Sequence, residues 1–184
     1  MESSIGNQWT GMQGFNLGVL MREFQSIAAF IEHVSTLHAK EALAVHNGLK
    51  RAAKMVEVQA KSEIGVYQSA IGEFPKWEEL ADSTKDDRVS KGYTENDPLL
   101  RSGKLRDSIH HDVDGLEAII GSDSDIAVYQ ELGTENIPPR PFLGSALAIK
   151  EGQVIRIIGE HVVSALIGGS AFSYRLPGFV EPSK

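Results

Sequence analysis

Gly103-Lys104 is the first place in this chain where side chains of the right type stand close enough to suggest chemistry. A Gly-Lys pair can cradle phosphate, but no glycine lies five residues before Gly103, and Leu105 stands where Ser or Thr should be. It is not a phosphate-binding loop. His110, His111, Asp112 and Asp114 cluster in the manner of metal ligands, yet adjacent strand residues point to opposite faces and could not share an ion unaided. Asp123 and Asp125 lack the remaining ligands of a calcium loop. His38 and His46 are about two helical turns apart, too far to share one ion, while His33 and His161 stand alone. The serines show no nucleophile-elbow spacing. These residues give enzymatic function no positive support, and the expectation is a protein with no catalytic residues, no cofactor and no metal.

A different kind of chemistry runs from Tyr129 to Ala146, YQELGTENIPPRPFLGSA. Glu131 leads into Gly133 and Thr134, and three prolines then surround Arg140. Pro138, Pro139 and Pro141 restrict φ and push the residues before them toward extended geometry, which makes a semi-rigid strut. Such a strut costs little entropy on binding. Local chemistry alone reads it as a connection whose last proline starts a helix; a docking surface presenting Arg140 is the alternative.

The elements that would position these residues follow from periodicity. Asn16 can cap a helix carrying Leu17, Leu20, Met21, Phe24, Ile27, Ala28, Ile31 and Val34 on one stripe. A second amphipathic run places Ala42, Val45, Leu49, Ala52, Ala53, Val56, Ala60 and Ile64 on one stripe. Lys40, Glu41, Lys50, Arg51, Lys54, Glu57 and Lys61 form its solvated face. A helical hairpin and one long kinked helix both fit, since Gly48 costs a helix only about 1 kcal/mol. Both stripes call for burial. Residues 68–98 lose periodicity and read as a long mobile loop, with a helical turn near Trp77 and disorder or partner-dependent order from Asp86 to Asn96. Leu99 to Ile109 leads into a strand. Asp114-Gly115 then predicts a type I′ hairpin pairing Val113 with Leu116, His111 with Ala118 and Ile109 with Ile120. That register turns Ile109, Val113, Leu116, Ala118 and Ile120 toward the helices. Ile126 to Leu132 is a strand or a short helical turn. From Phe142 and Leu143 a last long helix runs to a stop at Gly168-Gly169, a strand between Gly152 and Gly159 being the lesser alternative.

The expected fold is therefore α+β, with long N-terminal amphipathic helices packed on a small antiparallel sheet and a C-terminal helix. Residues 1–16 form a flexible arm, 17–168 one domain, and 169–184 an extended arm. With 184 residues, 41% of them hydrophobic and 23% charged, the chain can build one proper core. A net charge of −7 argues against a broad nucleic-acid surface. No cysteine is present, which excludes disulfides and thiolate sites and fits a reducing compartment. Neither a signal peptide nor a membrane-length apolar run is visible, so a soluble protein is expected.

The order of several loose motifs carries a resemblance. Trp77-x-x-Leu80-x-x-Ser83-Thr84 and Lys91-Gly92 precede Pro98-Leu-Leu-Arg-Ser-Gly-Lys-Leu-Arg-Asp-Ser-Ile109. After the hairpin come Tyr129-x-Glu131-x-Gly133-Thr134 and Pro139-Arg-Pro-Phe-Leu143 with Ala146. Over about residues 74–147 this resembles the tail-completion, or head–tail joining, proteins of long-tailed bacteriophages, including the virion morphogenesis proteins of Mu-like phages. Leu132 replaces the usual aromatic before Gly-Thr, and Gln130 stands where a small apolar residue is common. The long N-terminal helical region is less typical of the family.

The resemblance implies a non-enzymatic subunit of the virion neck, assembled in the host bacterial cytoplasm. Copies would form a homo-oligomeric ring, a hexamer in this family, between the connector or head-closure protein and the tail terminator or tail tube. DNA would pass through without specific binding. On this reading Arg101, Leu105, Arg106, Tyr129, Glu131, Gly133, Thr134, Pro139, Arg140, Pro141 and Phe142 lie at or beside subunit contacts. Arg140→Ala would block tail attachment and leave the monomer folded, while Phe142 would sit in the core or against a neighbour. The acidic loop from Glu78 to Asp97, or the GSDSD turn, would face the lumen and repel phosphate. Two alternatives remain open: an assembly factor absent from the virion, and a DNA-binding module using Arg101, Lys104 and Arg106.

Overall fold

The computed structural model describes residues 25–166. Its elements are α1 (Ile27–Glu63), α2 (Asp82–Ser90), α3 (Lys104–Ser108), β1 (Ile109–Asp114), β2 (Glu117–Ser122), α4 (Asp125–Leu132) and α5 (Leu143–Leu166). The architecture is α+β, as the sequence predicts: a long first helix, a two-stranded antiparallel sheet and a long last helix. The chain divides into Met1–Thr36 and Leu37–Lys184. In the first unit the described residues include the start of α1, where Ile27, Ile31 and Val34 are exposed rather than buried as their stripe predicts. The expected arms, the Asn16 cap and the Gly168-Gly169 stop lie outside the described residues.

The choice between hairpin and single helix is settled by α1, which is one helix of 37 residues. Gly48 within it is buried, and a Cβ there would stand 3.2 Å from the His161 side chain and 3.4 Å from the Ile158 backbone. The glycine therefore marks a close approach of α1 and α5, not a break. Between Gly152 and Gly159 the chain is helical, part of α5, since β-branched residues lower helix propensity only slightly and tertiary packing overrides it.

Val56 and Ala60 of α1, with Ile64 just after it, meet Trp77, Leu105, Ile109, Ala127, Phe142 and Ala146 in one core. The hairpin packs there through Ile109, which is 1% exposed. Its register differs from the expected one: Val113 pairs with Ala118, His111 with Ile120 and Ile109 with Ser122. Asp114 and Glu117 pair, so the two-residue turn is Gly115-Leu116. Gly115 has φ +54° and Leu116 has no positive φ, the arrangement of a II′ turn with glycine first. Because the slip is by two residues, the inward face survives. Leu116 alone leaves it and is 64% exposed.

Two further expectations are corrected. The segment 68–98 contains α2 (Asp82–Ser90) rather than a helical turn at Trp77, and Arg88, 4% exposed, holds the following loop together. Its Nε donates to Thr94 O at 2.7 Å and its Nη2 to Leu100 O at 2.6 Å. Glu57 does not belong to a solvated face, being 4% exposed. It accepts from Lys54 and Lys61 of its own helix and contacts Nδ1 of His111 on β1. His110, pointing the other way, is exposed beside Asp123 at 3.7 Å.

Burial by itself would raise the Glu57 carboxyl, but the bonds from Lys61, Lys54 and His111 outweigh it and hold the pKa at about 2, below its ordinary 4.5. A depressed acid contributes stability that is complete above its unfolded value and is lost as pH falls toward the folded one. Glu57→Gln should therefore lower the melting temperature at neutral pH and flatten its decline between about pH 5 and 2. Circular-dichroism melts across that range check this; a decline as steep as the wild type's would contradict it.

Candidate functional site

The proline strut is held by α4 before it, by the start of α5 after it and by the segment around Trp77. α4 ends at Gly133, whose φ of +75° and ψ of 176° fall in a region open essentially to glycine. A Cβ there would lie 2.9 Å from both Ile137 O and Pro139 N. The loop then closes on itself: Thr134 N–H donates to Ile137 O at 2.8 Å, and Ile137 N–H to Thr134 Oγ1 at 3.1 Å. Arg140 N–H returns to Gln130 O at 2.6 Å. The strut is thus pinned beside the helix that precedes it.

Glu131 fastens the other end. Its Oε2 accepts from the amides of Phe142 at 2.8 Å and Leu143 at 3.0 Å, and its Oε1 accepts from Gly144 at 2.8 Å. A helix start leaves such amides without intrahelical partners and carries partial positive charge. Glu131 lies in the last turn of α4, the wrong end of its own helix for an acid, and the start of α5 offsets that. Gly144 admits this geometry, since a Cβ there would stand 2.5 Å from the Phe74 ring.

Arg140 is not presented to a partner, as the sequence suggested. It is 5% exposed, and its guanidinium donates to Glu78 O at 3.0 and 3.3 Å and to Glu79 O at 3.4 Å. Burial pulls its pKa down from the ordinary arginine value, with Tyr67 and Glu78 opposing that. Trp77, 2% exposed, donates its indole N–H to Pro141 O at 3.2 Å. The two motif-bearing stretches therefore interlock, and Phe142 at 0% exposure belongs to the core. Arg140→Ala is accordingly expected to weaken the monomer itself.

The remaining predicted residues separate into inner and outer sets. Leu105 and Pro141 are buried. Tyr129 is 53% exposed, and Thr134 and Pro139 are exposed. Arg101 pairs with Asp87 at 2.7 Å and stacks over Tyr93, while Arg106 pairs with its neighbour Asp107 at 3.1 Å. The basic run is thus largely engaged within the chain.

Glu63 was not anticipated. It is 1% exposed at the end of α1, beside Ser145, whose hydroxyl has both Glu63 Oε2 and Pro141 O (2.7 Å) within reach. The single hydroxyl proton of Ser145 can go to only one of these two acceptors at a time. Burial, and after it the nearby Glu131 charge, pushes the Glu63 carboxyl up from 4.5, while its bonds from Ser145 and Gln59 oppose the rise. Its sequence sign is position: Glu63 follows Val56 by seven residues and Ala60 by three, which puts it on the apolar side of α1.

The chain is 31% identical over 96 residues to the Mu-like prophage FluMu G protein 1 of Haemophilus influenzae. The match covers 52% of this chain and 64% of that protein, so the chain spans somewhat less than two thirds of its relative. No family model matches the chain, and no solved structure matches it. The chain is thus similar to a Mu-like prophage protein over half its length.

Two outcomes follow from this geometry. Glu131→Ala should cost about 2–3 kcal/mol in urea titration by leaving the α5 amides unpaired; a change within 0.5 kcal/mol would contradict the cap. A raised buried acid makes the folded state hold its proton longer than the unfolded one, so stability declines as pH rises from about 4.5 through the folded value. Glu63→Gln, which keeps a donor toward Ser145, should remove that decline. Melting curves from about pH 4 to 8 test it.

Proposed function

We propose that this protein is a structural subunit of a bacteriophage particle, specifically a tail-completion subunit of the neck. Similarity to a Mu-like prophage protein supports the phage assignment. The assembly assignment rests on α4, which enters the core only through the small Ala127 and turns its large apolar side chains outward. Its polar Gln130 and Glu131 are the partly buried side chains, whereas Ile126, Val128, Tyr129 and Leu132 are 56%, 57%, 53% and 75% exposed. A short helix with its large apolar residues outward, in the middle of the stretch that resembles head–tail joining proteins, suits a subunit that meets neighbours.

On this reading copies form a ring, a hexamer by the family resemblance, between connector and tail, and DNA passes through its lumen. The chain acts as a spacer and adaptor, without catalysis. The exposed Ile27, Ile31 and Val34 of α1 supply a further apolar stripe for contact with the head or tail side. A DNA-binding role draws little support, because Arg101 and Arg106 already have acidic partners.

Deletion of the gene in an inducible lysogen should yield filled heads and separate tails by electron microscopy, with joining restored by the wild-type gene. Mass spectrometry of purified joined particles should find the protein. Normal particles from the deletion strain would overturn the proposal, and restored joining with no protein in the particle would make it an assembly factor instead.

A further inference from the structure

A groove of about 660 Å³ lies along the second unit, with apolar walls from Leu80, Leu99, Leu105, Ile126, Ile137 and Pro138. Lys104 and Arg101 stand on its rim together with Glu78 and Glu79. The backbone carbonyls of those two acids hold Arg140, and the Glu79 side chain lies 3.7 Å from Lys85. Arg101 is occupied by Asp87. Lys104 is exposed and has no acidic partner among the described residues. Leu99 in the wall holds φ +63°, an uncommon conformation for a residue other than glycine. Arg88 donates to the carbonyl of the next residue, Leu100.

The hairpin tip has the complementary character. Leu116 projects from the turn at 64% exposure and Ile119 is 62% exposed. Around them Asp112, Asp114 and Glu117 are all exposed, with no basic partner among the described residues. The tip is also held rigid, because His46 of α1 hydrogen-bonds Gly115 O through Nδ1 at 2.9 Å. An apolar knob ringed by acids matches an apolar groove with a free cation on its rim, and its rigidity lowers the cost of docking.

The tip cannot reach its own groove. β1 starts one residue after α3, beside the groove, and its six residues carry the tip about 20 Å away. We propose that the hairpin tip of one copy, centred on Leu116, docks in the Lys104–Ile126 groove of a second copy. This joins two different surfaces head to tail, the kind of contact that closes into a ring when the rotation permits. It rests on the ring-forming reading above and names the surfaces that would form the ring.

The natural chain has no cysteine, so introduced ones report cleanly. Leu116→Cys and Ile126→Cys alter exposed positions, and melting curves verify that each variant folds. On diamide oxidation at high concentration, the double variant should give a non-reducible-by-boiling, thiol-reversible ladder extending beyond the dimer. Each single variant should stop at dimer or below, because one cysteine per copy cannot extend a chain. Lys104→Glu in the double variant should reduce trapping roughly tenfold, and Glu117→Lys added to it should restore the yield. Absence of the ladder overturns the proposal. If amine cross-linking still captures wild-type multimers, copies meet elsewhere and the ring reading stands; if it captures none, that reading fails as well.

Discussion

One carboxylate sets the geometry on which the rest of the second unit depends. Glu131 accepts three amides at the start of α5, from Phe142 just before it and from Leu143 and Gly144 within it. A helix that begins straight after a proline strut has no local side chain in place to cap it, and uncapped amides beside a core are costly. With the acid in place, the start of α5 is fixed against the end of α4. Phe142 then enters the core, and Arg140 and Pro141 are brought to Glu78 O and the Trp77 indole. Charge-assisted bonds of this type contribute about 1.5–3 kcal/mol each but do not add independently.

The same device recurs. Glu57, Glu63, Arg88 and Arg140 are all buried, each within reach of hydrogen-bond partners. The architecture explains the need. A two-stranded sheet is marginal by itself, and long stretches between α1 and α5 contain little regular structure. Buried arginines tie loop carbonyls, and buried acids tie elements distant in sequence. The apolar side chains freed from those tasks face outward on α4 and at the hairpin tip, where the proposed assembly contacts lie.

Periodic features were legible in the sequence. The second apolar stripe marked the buried part of α1, Phe142 and Leu143 marked the start of α5, and the opposite orientation of His110 and His111 followed from strand geometry. Features set by partners far along the chain were not. Glu57 reads as solvated until His111, 54 residues away, is brought to it. Arg140 reads as presented by a strut because the carbonyls that hold it are 61 and 62 residues away. α2 carries no apolar period, its one buried residue being Arg88. Asp-Gly is a strong I′ signal, yet glycine as the first turn residue suits II′ equally, and that two-residue difference exposed Leu116.

The central claim is that the strut and α5 are held by Glu131 as part of the core, not as a loosely presented surface. Native-state hydrogen exchange of the Phe142, Leu143 and Gly144 amides, read residue by residue by NMR, tests it most directly. The account predicts that these three amides exchange only with global unfolding, as slowly as amides around Val56 and Ala60. Exchange at the rate of a fraying helix end, while the core stays protected, would contradict it.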